Sequence, residues 1–419
     1  MKVLIITYYW PPAGGSGVQR WLKFAKYLQD FDIELIVYTV DNPNYDVVDT
    51  SLENEIPDSI TVLKQPIFEP NNFIKKKKVA TANVSSNPSF IQKSLQYIRG
   101  NYFIPDARKF WVKPSVKYLT SYLKSNPVDV VITTGPPHSM HLIGMRLKQK
   151  LGVKWLADFR DPMSNLFYNK DLLLTTKSKI KLNQLEKEIL SKADVVVTVS
   201  NHLQKEFQKY RTKVEVITNG YDNEVLIEQT YSLDKKFTLS HIGLLPTQSN
   251  PIVLWQVLKE ILSENEEFAQ DLQLNFIGNS SKQIIDSLKD FDLLNHASII
   301  DYVAHSEAIR LQKKSQVLLL LIPQVKGSEG IITGKVFEYI TSNRPILALV
   351  PKGSDLIEII EGTNTGSVLE FNDKIKLKTT ILELYKKYKE GDLSVDAINI
   401  EQYHRKNLTK KLAQILTKL

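Results

Sequence analysis

The chain contains no cysteine, which excludes disulfides and thiolate metal centres and suits a reducing cytoplasm. No apolar run approaches the roughly 18 residues that a membrane-spanning helix needs. The start, a lysine followed by a β-type run and a proline-glycine loop, lacks the small-residue cleavage site of a secretory signal. The expectation is a cytoplasmic protein without a membrane span. Repeats with a period of about 20–50 residues are also missing.

What is present is a 419-residue chain, 42% hydrophobic and 24% charged, long enough for two domains with a core each. The net charge of +8 is unevenly placed: residues 1–225 hold 31 Lys and Arg against 22 Asp and Glu, and the rest is almost balanced. A basic half beside a neutral one suits an anionic partner, such as a phosphorylated substrate, a lipid headgroup surface or nucleic acid. The densest run is Lys75–Lys78, equally readable as a solvated loop. The chain shows no nucleic-acid-binding motif.

Short β-branched runs alternate with stretches of helical period. In the first half the runs are 3–7, 33–40, 128–134, 153–159, 193–200 and 214–218. Between the first two, Val18, Leu22, Ala25 and Leu28 mark one face of an amphipathic helix. A second set follows a polar stretch at 223–236: 237–243, 272–278, 297–303, 317–323, 345–350 and 367–371. The alternation predicts two α/β domains with mostly parallel sheets, since parallel strands need crossovers. We expect an N-terminal domain over 1–225, interrupted by an insertion at 67–115 that is basic, aromatic and proline-rich. A second domain spans 226–395, and a terminal segment, 396–419, carries Leu408, Leu412, Ile415 and Leu419 on one helical stripe.

Several polar clusters fall at strand ends, where open α/β sheets bind ligands. The first run leads into Gly14, Gly15, Ser16 and Gly17. A dinucleotide fingerprint is a poor match, because Arg20 stands where its third glycine belongs and the approach is too long. No Lys-Ser/Thr follows for a Walker loop. A phosphate-cradling or substrate loop opening onto a helix N-terminus remains, beside a plain turn. TTGPPHS presents His138, and ADFRDP presents Asp158, Arg160 and Asp161. Two adjacent polar strand ends outline one site; the alternative is an Asp-Arg pair that only fixes the loop, the reading favoured for Asp158. Later, SEGIITGKVFEY joins a glycine-rich turn to Lys335 and, one turn into a helix, Glu338. Backbone N–H groups and Lys335 would face a diphosphate, and the glutamate would accept from a ribose diol. A glutamate that merely favours the helix dipole is the other reading.

The order WPPAGGSGVQR, TTGPPHS, ADFRDP, VEVITNGYD, HIGLLPTQSNP, FIGN and GKVFEYITSNRPILAL resembles the glycosyltransferase family 4 type of GT-B enzyme, in a subgroup similar to bacterial surface-polysaccharide transferases. The resemblance implies two Rossmann-like domains facing each other across a cleft. The first would bind a glycan or polyprenyl-diphosphate-linked acceptor and the second a nucleotide-sugar donor, with the terminal helix returning to the first domain. It also implies a retaining transfer without a metal or other cofactor. By motif, Gly15 and Gly17 would lie at the donor's phosphates or sugar, as a mobile loop closing over it. Gly243 would lie under the diphosphate, Gly278 and Asn279 near the base, Ile332, Thr333, Gly334 and Lys335 near the diphosphate, and Glu338 at the ribose. His138, Arg160 and Asp161 would line the sugar and acceptor side; with Lys335 they are the candidate catalytic residues.

Three positions depart from the pattern. Leu244 and Ser249 stand where many members have an arginine and a lysine that neutralise the diphosphate. Gly330 stands where a second glutamate occurs, with Glu329 one step off. The usual sugar-contacting histidine has no counterpart in ADFRDP, leaving Arg160 to supply part of the missing charge. A GT-B sugar-nucleotide epimerase and a catalytically silent nucleotide-binding subunit are the competing readings. The insertion, with Phe73, Phe90, Tyr97, Tyr102, Phe103, Phe110 and Trp111, is the candidate contact with an anionic membrane surface.

Overall fold

The computed structural model describes residues 1–41, 43–45, 47–69, 90–164, 172–210, 213–222 and 231–419. Phe73 and Lys75–Lys78 lie outside the described residues. The chain separates into two compact units: Met1–Val79, Ser85–Asn219 and Arg405–Leu419 form the first, Ala80–Val84 and Gly220–His404 the second.

In the first unit, β1 (Lys2–Ile6), β2 (Glu34–Asp41), β3 (Thr61–Pro66), β4 (Val130–Gly135), β5 (Lys154–Phe159), β6 (Val195–Thr198) and β7 (Val214–Val216) form one sheet. Their order is β3-β2-β1-β4-β5-β6-β7, parallel throughout. The central strands read as continuous apolar runs because both of their faces are covered; Val3, Leu4, Ile5 and Ile6 are all fully buried. The unpredicted strand is β3, TVLKQP. It pairs only with β2 at the sheet edge, where lysine, glutamine and proline are tolerated and the apolar signal is weak.

The expected insertion is partly helical. Phe90–Tyr102 and Lys109–Ser125 are helices, and Trp111 is fully buried, stacking on Tyr38 at 4.9 Å between ring centroids. Trp111 is therefore a core residue and not a surface contact. The terminal helix, Arg405–Thr417, belongs to the first unit. Arg405 donates to the Gln19 carbonyl at 2.8 Å, on helix Ser16–Leu28. Its buried face is Leu408, Leu412, Ala413 and Leu416. The expected stripe through Ile415 and Leu419 is rotated: Ile415 lies at the margin and Leu419 follows the helix.

The second unit holds β8 (Phe237–Ile242), β9 (Leu272–Ile277), β10 (Ala297–Ile300), β11 (Val317–Leu321), β12 (Ile346–Val350) and β13 (Gly366–Glu370). They are again parallel, in the order β10-β9-β8-β11-β12-β13, over a separate apolar core. Both orders are those of doubly wound folds. In each sheet the chain reverses its direction of growth beside the first strand, between β1 and β4 and between β8 and β11. In open α/β sheets ligands bind at the carboxyl edge beside such a switch point.

Candidate active site

At the carboxyl edge of β8 the backbone turns through Gly243, with φ 115°, and β9 ends at Gly278, with φ 110°. Neither conformation suits an L side chain. A Cβ on Gly278 would also lie 2.8 Å from the Gly243 carbonyl oxygen, and one on Gly243 3.1 Å from Lys335 Nζ. The two glycines thus let two strand ends and a lysine meet. Lys335 opens the short helix Lys335–Tyr339. Tyr339 from that helix accepts from the Ile242 N–H at 3.0 Å and ties it to the end of β8.

Lys335 Nζ lies 3.1 Å from His241 Nε2. His241 is buried, with Nδ1 3.2 Å from the Leu319 carbonyl and Nε2 3.3 Å from the Leu244 carbonyl; a carbonyl only accepts, so a neutral ring donates to one of the two, and Nε2 accepts from the lysine in the tautomer protonated at Nδ1. Burial, reinforced by Lys335, pushes the His241 pKa well below the usual histidine range, so the ring is neutral. Burial likewise lowers the Lys335 pKa to about 8, with Glu338 opposing the shift. Glu338 is itself contacted by His305 and Gln312, both on helix His305–Lys314. The sequence offered no signal for His241, His305 or Gln312, because each acquires meaning only from a partner at least 26 positions away.

Of the other expected donor-binding residues, Ile332 is buried, and the buried Thr333 hydroxyl has no partner among the described residues. Gly334 precedes the helix. Asn279 is exposed, and its carbonyl accepts from the Leu245 N–H at 2.9 Å. Leu244 is exposed, while Ser249 is fully buried and its hydroxyl is unpartnered among the described residues. The carbonyl of Glu329 accepts from the Asp355 N–H at 3.0 Å.

In the first unit, Gly15, with φ 80°, caps helix Ser16–Leu28, and Gly17 packs beside the Tyr9 ring. Arg160 fastens this loop. Its guanidinium donates to the carbonyls of Gly17 at 3.1 Å, Gly135 at 3.3 Å and Pro136 at 2.5 Å. The loop after β1 and the turn after β4 are therefore tied together at the switch point, and three of Arg160's donor bonds are directed at backbone. Asp158 does not serve Arg160 by hydrogen bond; it is buried against Arg20, 3.0 Å from Nη2. The residue in the third-glycine position thus anchors an internal ion pair.

His138 is 6% exposed, and both ring nitrogens lack a hydrogen-bond partner among the described residues. Burial and the nearby Arg160 charge lower its pKa to about 3. Asp161 is shifted upward by burial, with Arg160 opposing. A neutral His138 can exchange hydrogen bonds but has little capacity to hold a proton.

This architecture is that of a GT-B protein. A structure of sucrose-phosphate synthase from Thermosynechococcus elongatus is similar, with a TM-score of 0.63 at 11% identity, covering 100% of this chain and 98% of that one. So is the apo form of the lipopolysaccharide outer core galactosyltransferase WaaB, with a TM-score of 0.61 at 13% identity and full coverage of both chains. A putative UDP-N-acetylglucosamine 2-epimerase from Listeria monocytogenes aligns with a TM-score of 0.56 at 11% identity, covering 100% of this chain and 96% of that one. At such identities the likeness is one of fold. No curated protein sequence matches the chain. Residues 78–225 match the model of Glycosyltransferase Family 4, and the chain as a whole shares the GT-B fold of the solved structures above. The matched segment carries His138, Arg160 and Asp161; Lys335 and Glu338 lie beyond it.

Proposed function

We propose that the protein is a retaining, metal-independent glycosyltransferase that moves a hexosyl or N-acetylhexosaminyl group from a nucleotide-sugar donor to a glycan or lipid-linked acceptor. The setting we propose is bacterial cell-surface polysaccharide or glycoconjugate synthesis. The observation that carries this reading is the Lys335 ammonium held at the edge of β8, with Glu338 one turn further along the same helix. A cation beside a glycine turn suits a diphosphate, and a carboxylate at that spacing suits a ribose diol.

In this reading the bond between the sugar's anomeric carbon and the diphosphate oxygen breaks. The acceptor oxygen bonds to that carbon on the same face, and its proton passes to the departing phosphate. Lys335 and backbone N–H groups stabilise the leaving group. No protein base is required, and the low basicity of His138 agrees with that. Arg160 and Asp161 act at the sugar and acceptor side, Arg160 by fixing the loop that carries Gly15 and Gly17. The same fold also hosts epimerases, so product analysis is the deciding measurement. Candidate nucleoside diphosphates are first ranked by thermal shift, since a ligand that binds only the native state raises Tm. The matching nucleotide sugars are then incubated with glycan and lipid-linked acceptors. Transfer with retained configuration is expected; an epimerised donor, or binding without turnover, overturns the reading.

We further propose peripheral association with an anionic bilayer through helix Phe90–Tyr102. Leu95, Ile98 and Tyr102 follow one another at helical spacing and are 48%, 45% and 65% exposed, with Lys93 and Arg99 on the same helix. Apolar side chains interleaved with cations suit a headgroup interface. Among the described residues no helix is long and apolar enough to cross a membrane. Sedimentation with vesicles containing acidic lipids at low salt is expected to retain the protein and to lose it on Ile98→Asp with Tyr102→Asp. Failure of the unaltered protein to sediment removes the idea.

A further inference from the structure

The Glu338 carboxylate is gripped at both oxygens by one neighbouring helix. His305, at the start of His305–Lys314, places Nε2 2.9 Å from Oε1. Gln312, two turns along, donates from Nε2 to Oε2 at 2.8 Å. A spacing of seven residues puts both side chains on one helix face. The two differ in environment: Gln312 is 2% exposed, whereas the His305 side chain is 56% exposed. A buried amide is costly without partners, so the glutamine is committed to this carboxylate, and the histidine is the adjustable member of the pair.

Two donors on different oxygens fix the plane of the carboxylate as well as its position, which one donor cannot do. A glutamate otherwise loses considerable rotamer freedom when a ligand fixes it. The clamp removes that cost before the ligand arrives. Each carboxylate oxygen accepts more than one hydrogen bond, so the clamp directs the group without closing it to a diol.

We propose that Gln312 and His305 are positioning residues that set Glu338 to read the 2′- and 3′-hydroxyls together, making the site selective for ribonucleoside over 2′-deoxyribonucleoside diphosphates. This rests on the reading of the second unit as the nucleotide-sugar site. A site built to bond a hydroxyl rejects the analogue that lacks it, because its polar groups are then left unpaired.

The test is calorimetric titration of the full chain with UDP, GDP, ADP and CDP and their 2′-deoxy counterparts. For the best-binding base, the unaltered protein is expected to prefer the ribo form by roughly tenfold or more. Gln312→Leu is expected to reduce that preference to within about threefold, and His305→Ala to reduce it in part. Lys335→Met is expected to weaken both forms by the same factor and to leave their ratio unchanged. His305 is exposed, so its variant keeps the test decisive if Gln312→Leu does not fold. A ratio near one in the unaltered protein overturns the proposal. So does a ratio unmoved by both substitutions while Lys335→Met still weakens binding, a result that leaves the nucleotide reading standing. If Lys335→Met changes neither affinity, the nucleotide reading itself fails.

Discussion

Replacing Lys335 by methionine is expected to weaken nucleoside diphosphate binding roughly ten- to a hundredfold, and to lower kcat/KM roughly a hundred- to a thousandfold. Methionine keeps much of the stem and removes the charge, so the loss reports the ammonium rather than packing. The ammonium is pre-positioned beside neutral His241, whose ring lies between the Leu319 and Leu244 carbonyls. It therefore requires little reorganisation to meet a diphosphate. The proton balance gives a second readout. Burial has lowered the Lys335 pKa to about 8, and His241 and Glu338 are the titratable groups facing it. The cation is present below that value and lost above it. A bound diphosphate favours the charged form, so affinity is expected to fall as pH rises through about 8, and the Met variant is expected to lack that fall. Calorimetry at several pH values on both sides of 8 checks this; a variant with unchanged affinity removes Lys335 from the site.

The second large effect is on stability. Asp158→Ala is expected to destabilise the first unit by about 3–5 kcal/mol, as breaking a buried ion pair from one side leaves its partner uncompensated. Asp158 is fully buried and accepts from three residues: Arg20, the Trp21 indole N–H at 2.7 Å and the Thr134 hydroxyl at 2.8 Å. Arg20 also donates to the Thr218 carbonyl at 2.9 Å. The substitution therefore strands a guanidinium, an indole and a hydroxyl together, where the carboxyl ends of β4 and β5 meet the helix after β1. Urea unfolding followed by tryptophan fluorescence measures the loss; a change below about 1 kcal/mol shows that the network contributes less than its burial implies.

These residues show where a sequence reading reaches and where it stops. Arg20 was visible as a misfit in a glycine fingerprint, but its partner lies 138 positions away, and nothing local to either residue announces the pair. Arg160 was expected to supply charge to a ligand. Its guanidinium fastens the glycine loop through carbonyl oxygens, acceptors that every residue carries and no sequence pattern marks. Trp111 sat in a stretch with the composition of a surface insertion and turned out to stack on Tyr38 in the core. Composition averages over a segment, whereas burial is decided residue by residue.

The sequence by itself determined the alternation of strands and helices, the two-domain plan and the polar clusters at strand ends. Apolar period and turn chemistry are local signals, and parallel pairing places the carboxyl ends of a sheet together. Only the tertiary structure decided which strands neighbour one another and which cations are already engaged by carbonyls. It also revealed that the Glu338 carboxylate is clamped by a helix whose sequence carries no motif. Hydrogen bonds between side chains and distant partners depend on distances of a few tenths of an ångström, and those distances exist only once two separate elements have packed.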